Sequence, residues 1–406
     1  MTPASYDIII SGAGPAGLCF ARALTGHGLQ IALVEQLPLV VISQPAFDGR
    51  EIALTQHSAT LMRKLGLSER IETYDPAALS PLRDARVLNG PSPFAMVIGH
   101  GLSTHSELGW LVSNHLIRRA AFDAVEQARQ AHDDITLLAG EQVTTVRTDA
   151  QGAHVTLASG ARLQTKLLIA ADSRFSTTRR AMGIAADMHD FGRSMLVCVM
   201  THDEPHHHAA WEWFDYGQTL ALLPMNDEPV TGAHRSSVVL TLPSQGMEPI
   251  LAEDPTAFGL DMTRRFAGRL GTMTLVSKRH AYPLVAVYPR QMVAQRFACV
   301  GDAAVGMHPV TAHGFNFGLL GIDALARGVL AAHAAGQDIA SAALLGHFER
   351  THRMATRPIY LATQLITHLY TNEAPHARGL RHLALRAGER FTPFKRALAA
   401  SLTGTH

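Results

Sequence analysis

Residues 7–10 form a short apolar run, DIII, long enough for one buried strand, and residues 18–24 follow with the pattern of a helix. A second apolar run over residues 30–34 ends on Glu35. After a linker at 36–47, residues 55–65 place Leu61 and Leu65 at helical spacing and stop at Gly66. Residues 75–109 are rich in Pro, Gly and Ser with short apolar runs such as 94–98, which predicts an excursion into a β-rich region. Residues 110–130 return to a helix, with Leu116, Ala120, Ala124 and Ala128 on one face. Residues 142–148, 154–157 and 162–165 read as a small antiparallel meander turning at 149–152 and 159–160, and 166–170 as a further buried strand. From 194 to 283 short β-forming runs (195–200, 219–223, 238–242) alternate with polar loops. The chain then returns with a strand at 297–300 and a helix from about 318 to 335.

The first strand and helix are joined by Ser11-Gly12-Ala13-Gly14-Pro15-Ala16-Gly17, a full G-x-G-x-x-G turn. In such a turn Gly12 permits the sharp bend, Gly14 lets a pyrophosphate approach the backbone and Gly17 lets helix and strand pack closely, with Ala16 between them. The helix start offers free N–H groups and a positive dipole end to phosphate. Glu35, at the end of the second strand, stands where an acid accepts hydrogen bonds from a ribose. Arg50, which this pattern places one turn before a helix, suits a phosphate or a flavin edge, or a surface ion pair. Arg118 and Arg119 lie near a helix start; one can reach a cofactor, and Arg119 is the better fit to a solvated face.

Composition narrows the class. A chain of 406 residues with 47% hydrophobic and 17% charged content has ample material for two or three domains' worth of core. A net charge of +1 gives no argument for nucleic acid. The three cysteines, Cys19, Cys198 and Cys299, are far apart in apolar stretches and read as buried thiols of a reducing compartment. No stretch approaches eighteen uninterrupted apolar residues, so no membrane span is expected. His206, His207 and His208 are consecutive in a loop, where neighbouring side chains diverge, so no metal site is expected. Beyond Gly346 the chain is basic, with Arg350, Arg353, Arg357, Arg378, Arg381, Arg386, Arg390, Lys395 and Arg396 against Glu349, Glu373 and Glu389. Leu361, Leu365, Leu369, Leu380, Leu383, Leu398 and Leu402 recur there at helical intervals. Such a segment fits contact with anionic lipid or a protein assembly, or a helical cap with a solvated basic face.

Three motifs stand in order: the glycine turn with Glu35, the segment Ala171-Asp172-Ser173-Arg174, and Phe297-Ala298-Cys299-Val300-Gly301-Asp302-Ala303-Ala304. Together they resemble the single-component FAD aromatic monooxygenases of the p-hydroxybenzoate hydroxylase-like class. Gly301-Asp302-Ala303-Ala304, His308-Pro309, Gly314-Phe315-Asn316-Phe317-Gly318 and Asp323 narrow the resemblance to the ubiquinone-biosynthesis hydroxylases (the UbiH, UbiF and UbiI group), and the run 308–318 is most similar to the UbiM branch. The resemblance covers residues 6 to about 330 by motif. Three positions depart from the family pattern: Ala312-His313-Gly314 replaces Gly-Gln-Gly, Val305 replaces a His, and Ser173 replaces a Gly.

The resemblance implies an α/β (α+β) fold, with a Rossmann-like FAD-binding domain over 1–75, 110–185 and 285–340. A β-sheet substrate domain would be inserted at 76–109 and 186–284, and helices would follow at 341–406. It implies that Asp302 bonds the ribityl chain, that Gly301 admits the flavin's linker, and that backbone N–H groups of Gly314, Phe315 and Asn316 face the pyrimidine edge. It also assigns Arg50 and Arg118 to the flavin and gives Asp172 a part in holding FAD and the pyridine nucleotide. The implied reaction is reduction of FAD by NAD(P)H, addition of O2 to give a flavin C4a-hydroperoxide, and oxygen transfer to the ring of a polyprenylated phenol or quinol. Demethoxyubiquinol hydroxylation is one example of such a step. Pro309 and the loop 311–315 would wall the pocket, with Phe214, Leu222 and Pro224 opposite. His313 is the candidate base that ionises the phenol. The implied setting is cytoplasmic, peripheral to the inner membrane or to a ubiquinone-biosynthesis complex, without nucleic acid or metal. A soluble phenol as substrate, and a flavin reductase or redox sensor without oxygen insertion, are the alternative readings.

Overall fold

The computed structural model describes residues 3–102, 105–215, 217–309, 313–371 and 375–404. The loop 310–312, expected in the pocket wall, lies outside the described residues, as do Glu373 and the side chain of Arg378.

The apolar run at the start becomes the strand Ala4–Ser11, with Ile8, Ile9 and Ile10 fully buried. It pairs in parallel with Ile31–Glu35 on one side and Arg162–Ala170 on the other. The strands Ile135–Ala139 and Phe297–Cys299 extend the parallel sheet at its two flanks. Near-continuous apolar strands follow from this placement, because both faces are covered: helices pack on one, and the meander strands Val143–Thr148 and Ala153–Leu157 with Tyr288 and Met292 pack on the other. The helices Pro15–Leu24, Asn114–His132 and Gly314–Ala334 supply Leu18, Phe20, Leu24, Ile117, Val125, Leu319 and Leu325 to one core cluster with the sheet. The strand Arg162–Ala170 pairs with Ala4–Ser11 along its length and divides its other edge: the first half pairs antiparallel with Ala153–Leu157 of the meander, and the end pairs in parallel with Phe297–Cys299.

A second, eight-stranded sheet is built around Ala186–His202, His234–Pro243, Gln218–Met225 and Ala209–Asp215, paired antiparallel in that order. The strands Asp84–Asn89 and Ala95–Gly99 of the early excursion add to its far edge. One face packs Leu196, Cys198, Leu220, Leu222, Val238 and Leu240 against Phe258, Met262 and Phe266. A small three-stranded sheet, Glu51–Thr55, Gly109–Ser113 and Ser80–Leu82, stands beside these two sheets.

Two element expectations are corrected. Residues 109–113 are a strand, Gly109–Ser113, and the helix begins only at Asn114, because Trp110, Leu111 and Val112 pair with Leu54, Ala53 and Ile52. Likewise Arg50 precedes the strand Glu51–Thr55, and the helix Gln56–Lys64 starts after it. The helix Gly314–Ala334 is also longer than expected. By length and mean hydropathy it is apolar enough to cross a membrane. It is a core helix, with Phe317, Leu319, Ile322, Leu325 and Val329 buried against the protein.

Candidate active site

The parallel sheet brings the motifs together. Val34, Ser11, Ala170 and Cys299 lie side by side in one row across four strands. The turns leaving those strand ends therefore carry Gly12, Glu35, Asp172 and Gly301 to one edge, where open α/β sheets bind ligands. At Gly12 the backbone has φ +107°, and an added Cβ would lie 2.6 Å from the Ala171 carbonyl oxygen. At Gly17 an added Cβ would overlap the Gly12 carbonyl oxygen, so helix and strand meet with no room for a methyl group. Gly14 differs from both: a Cβ there meets nothing within 4 Å, and it stands as the N-cap of Pro15–Leu24 with no side chain capping the helix. The first N–H groups of that helix thus open towards free space. Glu35 is turned inward; its carboxylate accepts hydrogen bonds from Ala13 N at 2.7 Å and Leu37 N at 3.0 Å, and each oxygen keeps a lone pair.

At the other strand ends, Asp172 Oδ2 caps the short turn of helix at 177–181, accepting from Thr177 N and Thr178 N at 2.9 and 3.2 Å. Asp172 Oδ1 is buried with no hydrogen-bond partner among the described residues. Gly301 has φ +60°, and an added Cβ there would come 2.5 Å from the Ala16 methyl group, which fixes how closely this turn approaches the glycine motif. Asp302 makes an ion pair with Arg174 at 3.0 Å.

Gly14, Glu35, Asp172, Gly301 and Asp302 border one cavity of about 700 Å³, with Gly12 and Gly17 packed behind its wall. One end is lined by Ala13, Gly14, Pro15, Ala16, Glu35, Asp172, Gly301 and Asp302. The opposite end is floored by the second sheet, and strand register shows how. Glu212, Ala221, Val239 and Val197 form one cross-strand row, and Phe214, Thr219, Thr241 and Met195 form the next. Phe214 therefore lines the cavity as expected, but Leu222 does not: the period of two turns it into the opposite core, and Leu223 faces the cavity instead. Pro224 is likewise absent from the lining.

Between the two ends lie Arg50, Arg118, Gly314, Phe315, His308 and Pro309. Arg50 pairs with Asp48 at 2.6 Å and packs over the Tyr282 ring at 5.4 Å. Arg118 has no ion-pair partner among the described residues, while Arg119 covers the Tyr74 ring at 4.2 Å rather than pointing only to solvent. The N-terminus of Gly314–Ala334 meets the cavity through Gly314 and Phe315. Asn316 does not point into it. Its side chain accepts from Thr55 N at 3.0 Å and donates to Ala53 O at 2.8 Å, so it ties the helix start to the strand that carries Glu51.

His313 is placed differently from the expectation of a catalytic base. It is buried, its Nε2 lies 3.1 Å from Ser401 Oγ, its ring packs on Phe317, and it borders a separate small void with Leu82 and Leu402. The C-terminal helix Thr392–Thr403 claims this side chain, and the large cavity does not. His313→Gln is thus expected to leave the pH dependence of turnover unchanged while lowering the unfolding midpoint slightly, as paired pH-rate and thermal-melt measurements would show.

Two cavity acids are not marked by any motif of the sequence. Glu51 and Glu212 both face the cavity, and burial pushes each carboxyl up to about 8. Glu51 is held by the Ser113 hydroxyl. The signal for Glu212 was present in Ala210-Trp211-Glu212-Trp213-Phe214, an acid in register with apolar inward positions of a strand. His308 is pushed down to about 4 by burial, with Arg174 adding to the shift, so it is neutral near pH 7. His206 bonds the Met225 carbonyl, and among the described residues no cluster of His, Cys, Asp and Glu is arranged to hold a metal ion.

The residues present fit FAD. An uncapped helix start, an unpaired arginine, a buried unpartnered carboxylate oxygen and an acid beside the second strand match phosphate, ribose and ribityl groups along one elongated cavity. Comparison with known proteins agrees. Residues 5–357 match the model of the FAD binding domain family. Ubiquinone hydroxylase UbiM of Neisseria meningitidis is 43% identical over 402 residues, covering 98% of this chain and 84% of the relative. Ubiquinone hydroxylase UbiL of Rhodospirillum rubrum is 30% identical, covering 98% of this chain and 90% of the relative. The structure of Klebsiella pneumoniae HpxO, complexed with FAD and uric acid, superposes with a TM-score of 0.73 at 21% identity, covering 98% of this chain and 97% of that one, which shows the shared fold. The chain is a flavoprotein monooxygenase: it belongs to the FAD binding domain family and, within it, to the ubiquinone hydroxylases.

Proposed function

We propose that this enzyme hydroxylates the aromatic ring of a polyprenylated phenol or quinol intermediate of ubiquinone biosynthesis, with demethoxyubiquinol as one such substrate, and that NAD(P)H is its electron donor. The observation that carries this reading is the single cavity, which joins a dinucleotide cradle to a sheet-floored, largely apolar chamber. In this reading the turn Gly12–Gly17 and the start of Pro15–Leu24 hold the pyrophosphate, Glu35 the adenosine ribose, and Asp302 the ribityl chain. Arg50 and Arg118 lie along the flavin, and Asp172 orders the turn beside it. The backbone N–H groups at 314–316 supply fixed positive charge to the pyrimidine edge, where a reduced flavin is anionic. Bound FAD supplies acceptance of two electrons and the activation of O2; one oxygen atom enters the ring and the other leaves as water. The chain contributes a cavity that excludes water and orients the ring carbon, with Pro309 and Phe214 among its walls.

Membrane contact belongs to the same proposal. On the helix Ala342–Thr371, Met354, Leu361 and Leu365 form one exposed stripe beside exposed Arg350 and Arg357, and Leu383 is exposed on the next helix. The basic set is smaller than its sequence suggests. Arg381 is fully buried, Arg353 is held by Glu349, and Lys395 by Glu389. Exposures of 53% for Leu361 and 68% for Leu365, flanked by arginines, suit an anionic bilayer surface in which a prenylated substrate resides. Leu361→Asp with Leu365→Asp is expected to abolish flotation with anionic liposomes while leaving FAD content intact; unchanged flotation would remove this contact.

The whole reading is tested by purification and complementation. The protein should be yellow, take up FAD, consume O2 with NAD(P)H and restore ubiquinone to a hydroxylase-deficient strain, whose accumulated intermediate identifies the ring position. A colourless protein that refuses FAD, or one that reduces without inserting oxygen, overturns it.

A further inference from the structure

We propose that Glu212 is the catalytic base that takes the proton of the substrate's phenolic hydroxyl, an assignment that rests on the hydroxylase reading above. Glu212 sits in the middle of the strand Ala209–Asp215 and faces the cavity from the sheet floor. Its row neighbours are Ala221, Val239 and Val197, which offer no polar atom, and Val87 flanks it on the other side. Among the described residues its carboxylate has neither hydrogen-bond nor ion-pair partner. A carboxylate with no partner on an apolar floor costs free energy unless a ligand satisfies it. The small Ala221 beside it leaves room for a ring above the sheet.

The ionisable groups that line the same cavity from other elements are Arg193 and Tyr282 on further strands of the same sheet, then Arg50, Glu51 and Arg118, and towards the nucleotide end Glu35, Asp172, Arg174, Asp302 and His308. None of them shifts Glu212; burial alone pushes its carboxyl up to about 8, so it is a base of useful strength near neutral pH. Glu51 is the rival acid, but the Ser113 hydroxyl already occupies one of its oxygens, and Asp48 and Arg235 act on it.

The proton balance is simple. The hydroxyl O–H bond breaks, a carboxyl O–H forms on Glu212, and the electron pair stays on the ring oxygen. This enriches the ring carbons ortho and para to that oxygen in electron density. After oxygen transfer the attacked carbon loses its hydrogen as a proton to the second oxygen atom, which leaves as water, and Glu212 returns its own proton to the ring oxygen, so the side chain ends as it began. The oxidant is the O2 and the reductant the NAD(P)H of the parent reaction.

The test uses FAD-loaded wild type, Glu212→Gln and Glu212→Leu. Hydroxylation by the isosteric Glu212→Gln should fall about 100-fold with FAD content and flavin reduction retained, O2 being released as peroxide instead. The rise of wild-type turnover with pH through about 8, where the carboxyl ionises, should vanish in that variant. Binding is read separately on the oxidised holoenzyme with 2-methoxy-6-geranylphenol and its methyl ether, which has no proton to give. Wild type should prefer the phenol about tenfold above pH 8, and Glu212→Leu should show no preference. Variants that retain wild-type turnover, pH profile and phenol preference overturn the assignment, as does a pH limb that survives Glu212→Gln and disappears in Glu51→Gln. Wild type that binds FAD and prefers the phenol yet inserts no oxygen would instead defeat the hydroxylase reading, because the binding ratio reports on Glu212 without turnover.

Discussion

Gly17→Ala is expected to give a chain that melts well below wild type and holds no flavin, whereas Gly14→Ala should melt like wild type and lose only affinity for FAD. The two substitutions add the same methyl group three residues apart. At Gly17 that group falls on the Gly12 carbonyl oxygen, a backbone atom fixed by the hydrogen bond from Gly12 N to Val34 O at 2.7 Å. Relief requires the helix Pro15–Leu24 to move off the strand Ala4–Ser11, and with it Leu18, Phe20 and Leu24 from the core. Overpacking of this kind costs about 3 kcal/mol or more when backbone must yield. At Gly14 the methyl group meets no protein atom within 4 Å, so the fold is untouched. It fills instead the open space before the helix N-terminus, where the proposed function seats the pyrophosphate. Flavin absorbance after gel filtration and thermal melting of the stripped protein separate the two effects. Equal melting points for both variants would show that the close approach at Gly17 is not a constraint on the fold.

That contrast explains why the nucleotide end of the molecule could be read from the chain. Its requirements are local: Gly12 and Gly301 need positive φ or close approach, and an acid at Glu35 needs only the end of a strand. The sheet floor obeys a different rule. Whether Leu222 or Leu223 faces the cavity depends on the pairing of Ala221 with Val239 and Glu212, which an apolar run alone does not specify. The same is true of Trp110, Leu111 and Val112, whose β character was overridden in the reading by the helix that follows. His313 illustrates the longest reach. Its neighbour Ser401 lies eighty-eight residues downstream, in a helix whose docking no local pattern encodes. The C-terminal basic run misled for a related reason: the chemistry of Arg381 suggested solvent, but tertiary packing buries it.

Asn316→Leu carries the second large effect, and its reasoning joins these two levels. The motif at 314–318 identified Asn316 by its backbone N–H, yet the side chain is what fastens the two halves of the cavity wall. Thr55 N and Ala53 O are successive hydrogen-bonding groups on one edge of the strand Glu51–Thr55, and the amide satisfies both at once. Leucine has similar bulk but satisfies neither, so a buried donor and a buried acceptor are stranded at a cost of about 3 kcal/mol. The glycines at 314 and 318 already weaken the start of this helix, so it depends on that tie for its position. Loosening it lets Arg50 and Glu51 drift relative to Gly314 and Phe315, which line the same cavity and which the proposed function sets along one flavin ring. Asn316→Leu should therefore lower the melting point sharply and, below it, consume NAD(P)H and O2 with little hydroxylated product. Asn316→Asp should fall between, since a carboxylate still accepts from Thr55 N and is favoured at a helix N-terminus, but it opposes the Ala53 carbonyl. The order wild type, Asp, Leu in both melting point and product per O2 is the expected result, and a leucine variant matching wild type in either would mean that the strand is held by something other than this amide.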